Sequence, residues 1–350
     1  MRKSTRTHSV SWRHGLACLL AAGLLAGPSG AAEQPFAPAL ADEFADPFVL
    51  SLDDGWVAYA TNDHHKNNIP MAMSTNLADW QIVPGENGGG RRDAMPELPA
   101  WVKKGRTWAP EVLKTDKVYI LYFTAKDKKT DLQCVGAATS NNPLGPFASA
   151  AAEPLICQKD QGGTIDAHPF RDGDGQLYLY FKNDGNAVRK PAQVWVQKLA
   201  PDGLTLTGEI TPLLKADKDW ENGVVEAPTM VRRDRDYFLF FSASYFGWNA
   251  DQRLSPYAMG YATCAGPMGP CTDAPDNPIL HSFSGKEGCL SGPGHQSVFE
   301  AAGRTFIAFH AWAATPGCRK LDDERHFYVS PLIWKDGKPA VGVSVRKKTG

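Results

Sequence analysis

Apolar and aromatic residues gather in short runs, each preceded by a polar turn, and one such run recurs five times along the chain. The runs are Gly55–Tyr59, Val118–Tyr122, Leu177–Phe181, Asp236–Phe240 and Thr305–Phe309. With Trp56, Tyr119, Tyr178, Tyr237 and Phe306 as equivalent anchors, the successive intervals are 63, 59, 59 and 69 residues. The turns before them, Asp53-Asp54-Gly55, Thr115-Asp116-Lys117, Asp172-Gly173-Asp174-Gly175, Arg233-Asp234-Arg235 and Ala301-Ala302-Gly303, consist largely of turn-forming residues. Turn formers between apolar runs predict hairpins. Later runs such as Met71–Ser74, Val135–Thr139, Val194–Gln197 and Met259–Thr263 supply third strands, ahead of Pro- and Gly-rich crossings such as Asn142–Phe147 and Gly266–Pro270. Beyond the N-terminal segment no stretch of ten or more residues carries the helical apolar period. The pattern predicts an all-β chain, a five-bladed β-propeller in a single domain.

Ten to twelve residues before the anchors stand Asp46, Trp108, Asp166, Glu226 and His295. Each blade of a propeller begins with its innermost strand, so one phase of the repeat crowds around one end of the axis. Two aspartates, a glutamate, a tryptophan and a histidine meeting there describe a carbohydrate site with acid and base chemistry.

Each candidate has a plainer reading. Asp46 precedes Pro47, which biases it toward an extended conformation; alone, that dipeptide reads as an ordinary turn. Glu226 lies among Val224, Val225, Ala227 and Pro228, where partial desolvation would keep a carboxyl protonated and able to act as an acid. Its competitor is a structural glutamate bonded to backbone, the reading preferred for Glu111. Asp166 would repel charge on Glu226 and so hold that acid's proton, or else cap a strand end. Asp172 and Asp174 read as solvated turn acids. Trp108 offers a flat face to a sugar ring, or belongs to the core. His295 follows Gly292 and Gly294, which permit close approach of a ligand; it is otherwise a satisfied structural histidine.

Residues 1–32 combine Arg2, Lys3, Arg6 and Arg13 with an apolar run from Gly15 to Gly27 and small residues after it. This describes a secretory signal, with residues 33–350 as the propeller, secreted or periplasmic and without a membrane segment after cleavage. Cys134, Cys157, Cys264, Cys271, Cys289 and Cys318 remain. Six cysteines permit fifteen pairings; sequential pairing keeps each bridge within one blade or one inter-blade loop, and free thiols are the alternative. No spacing resembles a zinc site. With 37 basic and 38 acidic residues and no basic stripe, nucleic acid is not an expected partner. Five blades use up the chain to Trp334, leaving no room for an appended module, and a monomer is expected. The glycine-rich stretch 84–92 reads as a loop between the first two blades.

The ordered set Ala45-Asp46-Pro47, Trp108-Ala109-Pro110-Glu111-Val112, Ile165-Asp166 with Phe170–Gly175, Val225-Glu226-Ala227-Pro228 and Gly294-His295-Gln296-Ser297 resembles glycoside hydrolase family 43 over nearly all of residues 33–350. The resemblance implies a five-bladed propeller that hydrolyses plant cell-wall pentose linkages with inversion. Asp46 would be the general base, Glu226 the general acid, and Asp166 the residue that tunes and positions that acid. Trp108 and His295 would bind substrate, and Arg325, in Glu324-Arg325-His326-Phe327, resembles an arginine that lines the sugar pocket in some relatives. No cofactor is required and no catalytic metal is implied; a structural Ca²⁺ near His295 is the one ion some members suggest. The expected substrates are arabinan, arabinoxylan and xylan, with α-L-arabinofuranosidase activity first and β-xylosidase or endo-arabinanase as alternatives. The loops at 84–92 and 245–253 are where that choice is expected to be made. A non-catalytic carbohydrate-binding propeller is the reading from another class. A fructan-cleaving propeller would want an Arg-Asp-Pro and a Glu-Cys pair, and neither occurs. The sequence reads Glu-Ala-Pro where many relatives have Glu-Gly-Pro, a difference of one methyl. It also lacks the extra β-sandwich of some xylosidases, which weighs against a xylosidase.

Overall fold

The computed structural model describes residues 36–85, 88–248, 254–286 and 288–344. The expected signal, residues 1–32, lies outside them. Blade one contains β1 (Phe48–Leu52), β2 (Gly55–Tyr59), β3 (Met71–Ser74) and β4 (Gln81–Ile82). Blade two contains β5 (Val102–Lys114), β6 (Tyr119–Asp127) and β7 (Gln133–Ser140). Blade three contains β8 (Thr164–Arg171), β9 (Leu177–Asn183), β10 (Gln193–Leu199) and β11 (Leu206–Lys215). Blade four contains β12 (Val225–Arg233), β13 (Asp236–Ala243), β14 (Ala258–Cys264) and β15 (Cys271–Asp273). A small hairpin, β16 (Phe283–Gly285) and β17 (Gly288–Leu290), precedes blade five: β18 (Gly294–Ala301), β19 (Arg304–Ala314), β20 (Lys320–Lys335) and β21 (Lys338–Val341). Strands pair in chain order within every sheet, as the turn-separated hairpins predict. The five anchors all fall in second strands. Helical structure among the described residues consists of short 3₁₀ turns such as Gly185–Val188, and no helix there is long and apolar enough to cross a membrane.

The apolar runs are nearly continuous because both faces of each blade are covered. In β13, Leu239 and Phe241 pack with Tyr180 and Val194 of blade three, while Phe238 and Phe240 pack with Ile307 and Phe309 of blade five. Similar clusters join blades one and two through Tyr59, Met71, Trp101 and Phe123, and blades two and three through Ile120, Tyr122, Leu179 and Phe181. The last interface closes the ring. Phe44 and Val49 meet Phe306 and Phe327, and the segment before β1 pairs with β20, with the Phe44 amide donating to the Arg325 carbonyl at 2.9 Å. The three disulfides are sequential, Cys134–Cys157, Cys264–Cys271 and Cys289–Cys318, as expected.

Each inner strand is interrupted near its axial end. Register skips between Trp108 and Glu111, Ile165 and His168, Glu226 and Thr229, and Gly294 and Ser297. In blade one the Thr61 amide bonds the Ala45 carbonyl while Phe48 pairs with Tyr59. At each of these bulges one residue is left-handed: Asp46 (φ 54°), Ala109 (44°), Asp166 (58°), Ala227 (52°) and His295 (50°). The extra residue of a bulge bends the strand and re-aims its side chains. Five bulges at one depth aim five loops of side chain at one cavity.

Candidate active site

The bulges correct the repeat phase read from the sequence. Asp46, Asp166 and His295 are the left-handed residues themselves, whereas Trp108 and Glu226 stand one residue earlier, before Ala109 and Ala227. A Pro follows the left-handed residue in three of the five blades.

Opposite each bulge, on the second strand or, for Thr61, just past its end, stand Thr61, Thr124, Lys182, Ser242 and His310. Four of them accept the amide of the left-handed residue in the next blade. The Ala109 amide donates to Thr61 Oγ1 at 3.0 Å, Asp166 to Thr124 Oγ1 at 3.1 Å, His295 to Ser242 Oγ at 2.8 Å, and Asp46 to His310 Nδ1 at 3.0 Å. Lys182 has no lone pair to offer, so the Ala227 amide donates to Asp166 Oδ2 at 3.0 Å. A ring of inter-blade bonds therefore holds the floor of the site.

All six residues singled out in the sequence line one cavity of about 310 Å³, with Thr61, Lys182, Asn186, Phe246 and Tyr257 among its other walls. Asp46 enters from blade one and Glu226 from blade four. Asp46 Oδ1 lies 3.0 Å from Arg325 Nη1 and 3.4 Å from His295 Nδ1, and Oδ2 accepts the Thr61 hydroxyl. Burial alone would raise the Asp46 carboxyl, but the charges of Arg325 and His295 hold it well below the usual carboxylate range. An ionised carboxylate is the form a general base needs. His310 is pushed down to about 4, by burial and then by Arg325, so it stays neutral and able to accept the Asp46 amide.

The other carboxyl pair differs from the sequence expectation. Burial raises Asp166 to about 6, with Glu226 and Asp46 acting in the same direction against His295 and Lys182. Glu226 is instead lowered: burial pushes it up, yet Lys182 outweighs burial by charge and hydrogen bond, helped by Tyr257 and His295. Lys182 Nζ lies 2.8 Å from Glu226 Oε2 and the Tyr257 hydroxyl donates to Oε1 at 2.8 Å. Like-charge repulsion therefore falls on Asp166, and Glu226 is the partner held ionised, because a buried ammonium stands beside it.

Lys182, Tyr257 and His310 were not found from sequence. Lys182 ends the run Leu177–Phe181, where a lysine reads as a side chain reaching solvent, yet its side chain is fully buried. Two further readings change. Asp172 is not solvated: its side chain is 9% exposed and takes bonds from Arg232 and Tyr237. Glu111, expected to bond backbone, instead pairs with a side chain, its Oε2 2.7 Å from His168 Nδ1. Of the two loops named for specificity, 245–253 contributes Phe246, whose ring stacks 5.3 Å from the Arg325 guanidinium; residues 249–253 lie outside the described ones. None of the described residues of 84–92 lines the cavity, and Arg91 there bonds Asp42.

A calcium ion takes six to eight oxygen ligands. Beside His295 stand Asp46, committed to Arg325 and Thr61, the His310 ring and a guanidinium. That donor set does not fit a protein-ligated calcium, and among the described residues no group of three or more His, Cys, Asp or Glu is arranged to hold a metal.

Comparison with known proteins places this geometry in context. A family model described as glycosyl hydrolases family 43 matches residues 36–339. A β-D-galactofuranosidase of Aspergillus niger is 31% identical over 224 residues, 60% of this chain and 58% of the relative. The chain thus spans little more than half the length of that protein. A β-xylosidase of Xylanibacter ruminicola is 33% identical over 306 residues, 77% of this chain and 88% of the relative. The crystal structure of a thermostable family-43 glycoside hydrolase superposes with a TM-score of 0.73 at 27% identity, over 88% of this chain and 95% of that one.

Proposed function

Because the chain belongs to glycosyl hydrolases family 43, we propose that it hydrolyses a pentose linkage of plant cell-wall polysaccharide with inversion, an α-L-arabinofuranosyl linkage first. Glu226, having taken up the proton that rests on Asp166 in the empty site, donates it to the glycosidic oxygen as the bond to the anomeric carbon breaks. Asp46 takes a proton from the water that attacks the opposite face of the sugar, so the hydroxide adds to that carbon and the departing sugar leaves as an alcohol. Trp108 supplies the flat wall for the sugar ring, and Asp166 holds the Ala227 amide beside the acid.

The observation that carries this reading is the meeting of Asp46 and Glu226 in one small cavity, one carboxylate held ionised by Arg325 and the other bonded from two sides. A furanoside is favoured because β-D-galactofuranose and α-L-arabinofuranose share the configuration of their ring hydroxyls, and a relative named for the former aligns with this chain. The xyloside reading comes second, supported by the β-xylosidase that aligns over the larger share of both chains. Three disulfides support a secreted or periplasmic location, since such bonds persist in oxidising compartments.

Incubation with arabinan, arabinoxylan, xylan and the nitrophenyl arabinofuranoside and xyloside tests the proposal. Released arabinose, with a first product of inverted anomeric configuration by proton NMR, is expected. Glu226→Ala and Asp46→Ala each lose about 10²-fold to 10⁴-fold in turnover while remaining folded by circular dichroism. Sugar binding without release would leave the lectin reading in its place.

A further inference from the structure

The one exception in the inter-blade ring falls beside the candidate acid. Where Thr61, Thr124, Ser242 and His310 each accept an amide from the next blade, Lys182 donates instead, to Glu226 Oε2 at 2.8 Å and to Asn186 Oδ1 at 2.7 Å. Asp166 takes over the amide of Ala227 that this place would otherwise accept. Removing a cation from water is expensive unless it is paired. A threonine or serine would complete the ring without that cost, as other blades demonstrate, so packing does not account for the lysine.

We propose that Lys182 is a positioning residue for the hydrolysis, which through its buried ion pair orients the Glu226 carboxyl and sets the alkaline limit of turnover. The inference rests on reading Glu226 as the general acid. Lys182 forms part of the cavity wall, but its fully buried ammonium is committed to Glu226 and Asn186, so its part is assigned through Glu226.

The charged and titratable groups around Glu226 come from every neighbouring element. Lys182 lies in β9 and Asp184 follows that strand, Asp166 comes from β8, Tyr257 precedes β14 and His295 comes from β18. Lys182, Tyr257 and His295 favour the carboxylate of Glu226, while burial opposes them. The proton of the Asp166–Glu226 pair accordingly resides on Asp166 in the empty site, in line with the opposite directions in which the two are displaced. A general acid works only while it holds a proton. A cation at 2.8 Å therefore brings forward, on the pH scale, the point at which Glu226 is lost as a donor. Taking the cation away shifts that point upward.

The test is the pH profile of kcat/KM on whichever nitrophenyl pentoside the wild type cleaves, for wild type, Lys182→Met and Lys182→Arg. In Lys182→Met the alkaline limb is expected to move up by about one pH unit or more, the size of effect a nearby opposite charge produces, while the acidic limb stays in place. Lys182→Arg keeps a cation, and its limb is expected to remain with the wild type. A Lys182→Met enzyme that is slower at every pH with its alkaline limb unmoved would overturn the proposal. Should that variant fail to fold, wild-type protein with ¹³C-labelled glutamate carboxyls is titrated, and Glu226→Gln identifies the resonance. Titration of Glu226 below the usual value of about 4.3 supports the role of Lys182, and titration at or above it refutes that role. The two readings fail differently: undiminished activity in Glu226→Ala removes the acid assignment itself, whereas an unmoved limb beside an inactive Glu226→Ala removes only the part given to Lys182.

Discussion

A buried carboxyl raised to about 6 has a consequence for stability. Asp166 binds its proton more tightly in the folded chain than in the unfolded one, where about 3.9 is usual. Its contribution to stability is therefore fully present below about pH 4 and is lost as pH rises through about 6. Two pH units correspond to about 3 kcal/mol. Asp166→Asn keeps an oxygen for the Ala227 amide and removes the titration. It is expected to be more stable than wild type above pH 6, by up to about 3 kcal/mol, and to match it near pH 4 in urea denaturation. An equal difference at both pH values would show that the carboxyl does not titrate as described. Asp166 was recognised from the sequence, and its partner Lys182 was not. A carboxylate at a repeat phase is a local signal, but burial of a lysine depends on what the neighbouring blade places over it.

At the scale of the element, the bulged inner strand is the unit that makes the site. A left-handed residue other than glycine costs about 1 to 3 kcal/mol, and the chain bears that strain in all five blades. This explains the Glu-Ala-Pro departure in physical terms, since the added methyl sits at Ala227, where φ is 52° and glycine would be unstrained. Ala227→Gly is expected to retain turnover and to change stability by no more than about 1 kcal/mol. Ala227→Val places a β-branched residue there and is expected to lose about 2 kcal/mol, measured by chemical denaturation. Tolerance of valine would mean that the bulge is not held as described. The strands themselves were legible, because turn residues and two-sided apolar runs are local. The bulge was not, which is why counting back from the anchors reached Trp108 and Glu226 at an offset from the other three.

At the scale of the molecule, five apolar interfaces must close on one another, and the last depends on the segment before β1. Phe44 is fully buried, its ring 5.3 Å from that of Phe327, and its amide bonds the carbonyl of the pocket residue Arg325. Phe44→Ala is expected to cost about 3 to 5 kcal/mol, the range for a large buried aromatic. Through Arg325 it should also weaken the hold on Asp46. The measurements are equilibrium denaturation and the acidic limb of the pH profile. A loss below about 1 kcal/mol would show that closure lies elsewhere.

From residue order alone came the five repeats, the all-β architecture, the sequential disulfides, the family, and six residues that line one cavity. The repeats, the architecture, the cysteine pairs and five of those residues follow from spacing and local chemistry, which a chain carries in one dimension, whereas the family and Arg325 came from the resemblance of its motifs. The tertiary structure decided which carboxyl is held ionised, which neighbours hold it so, and how the ring closes. Those depend on desolvation and on charges brought together from strands as far apart as Asp46 and Arg325, and electrostatic energy is set by distance in space and not along the chain.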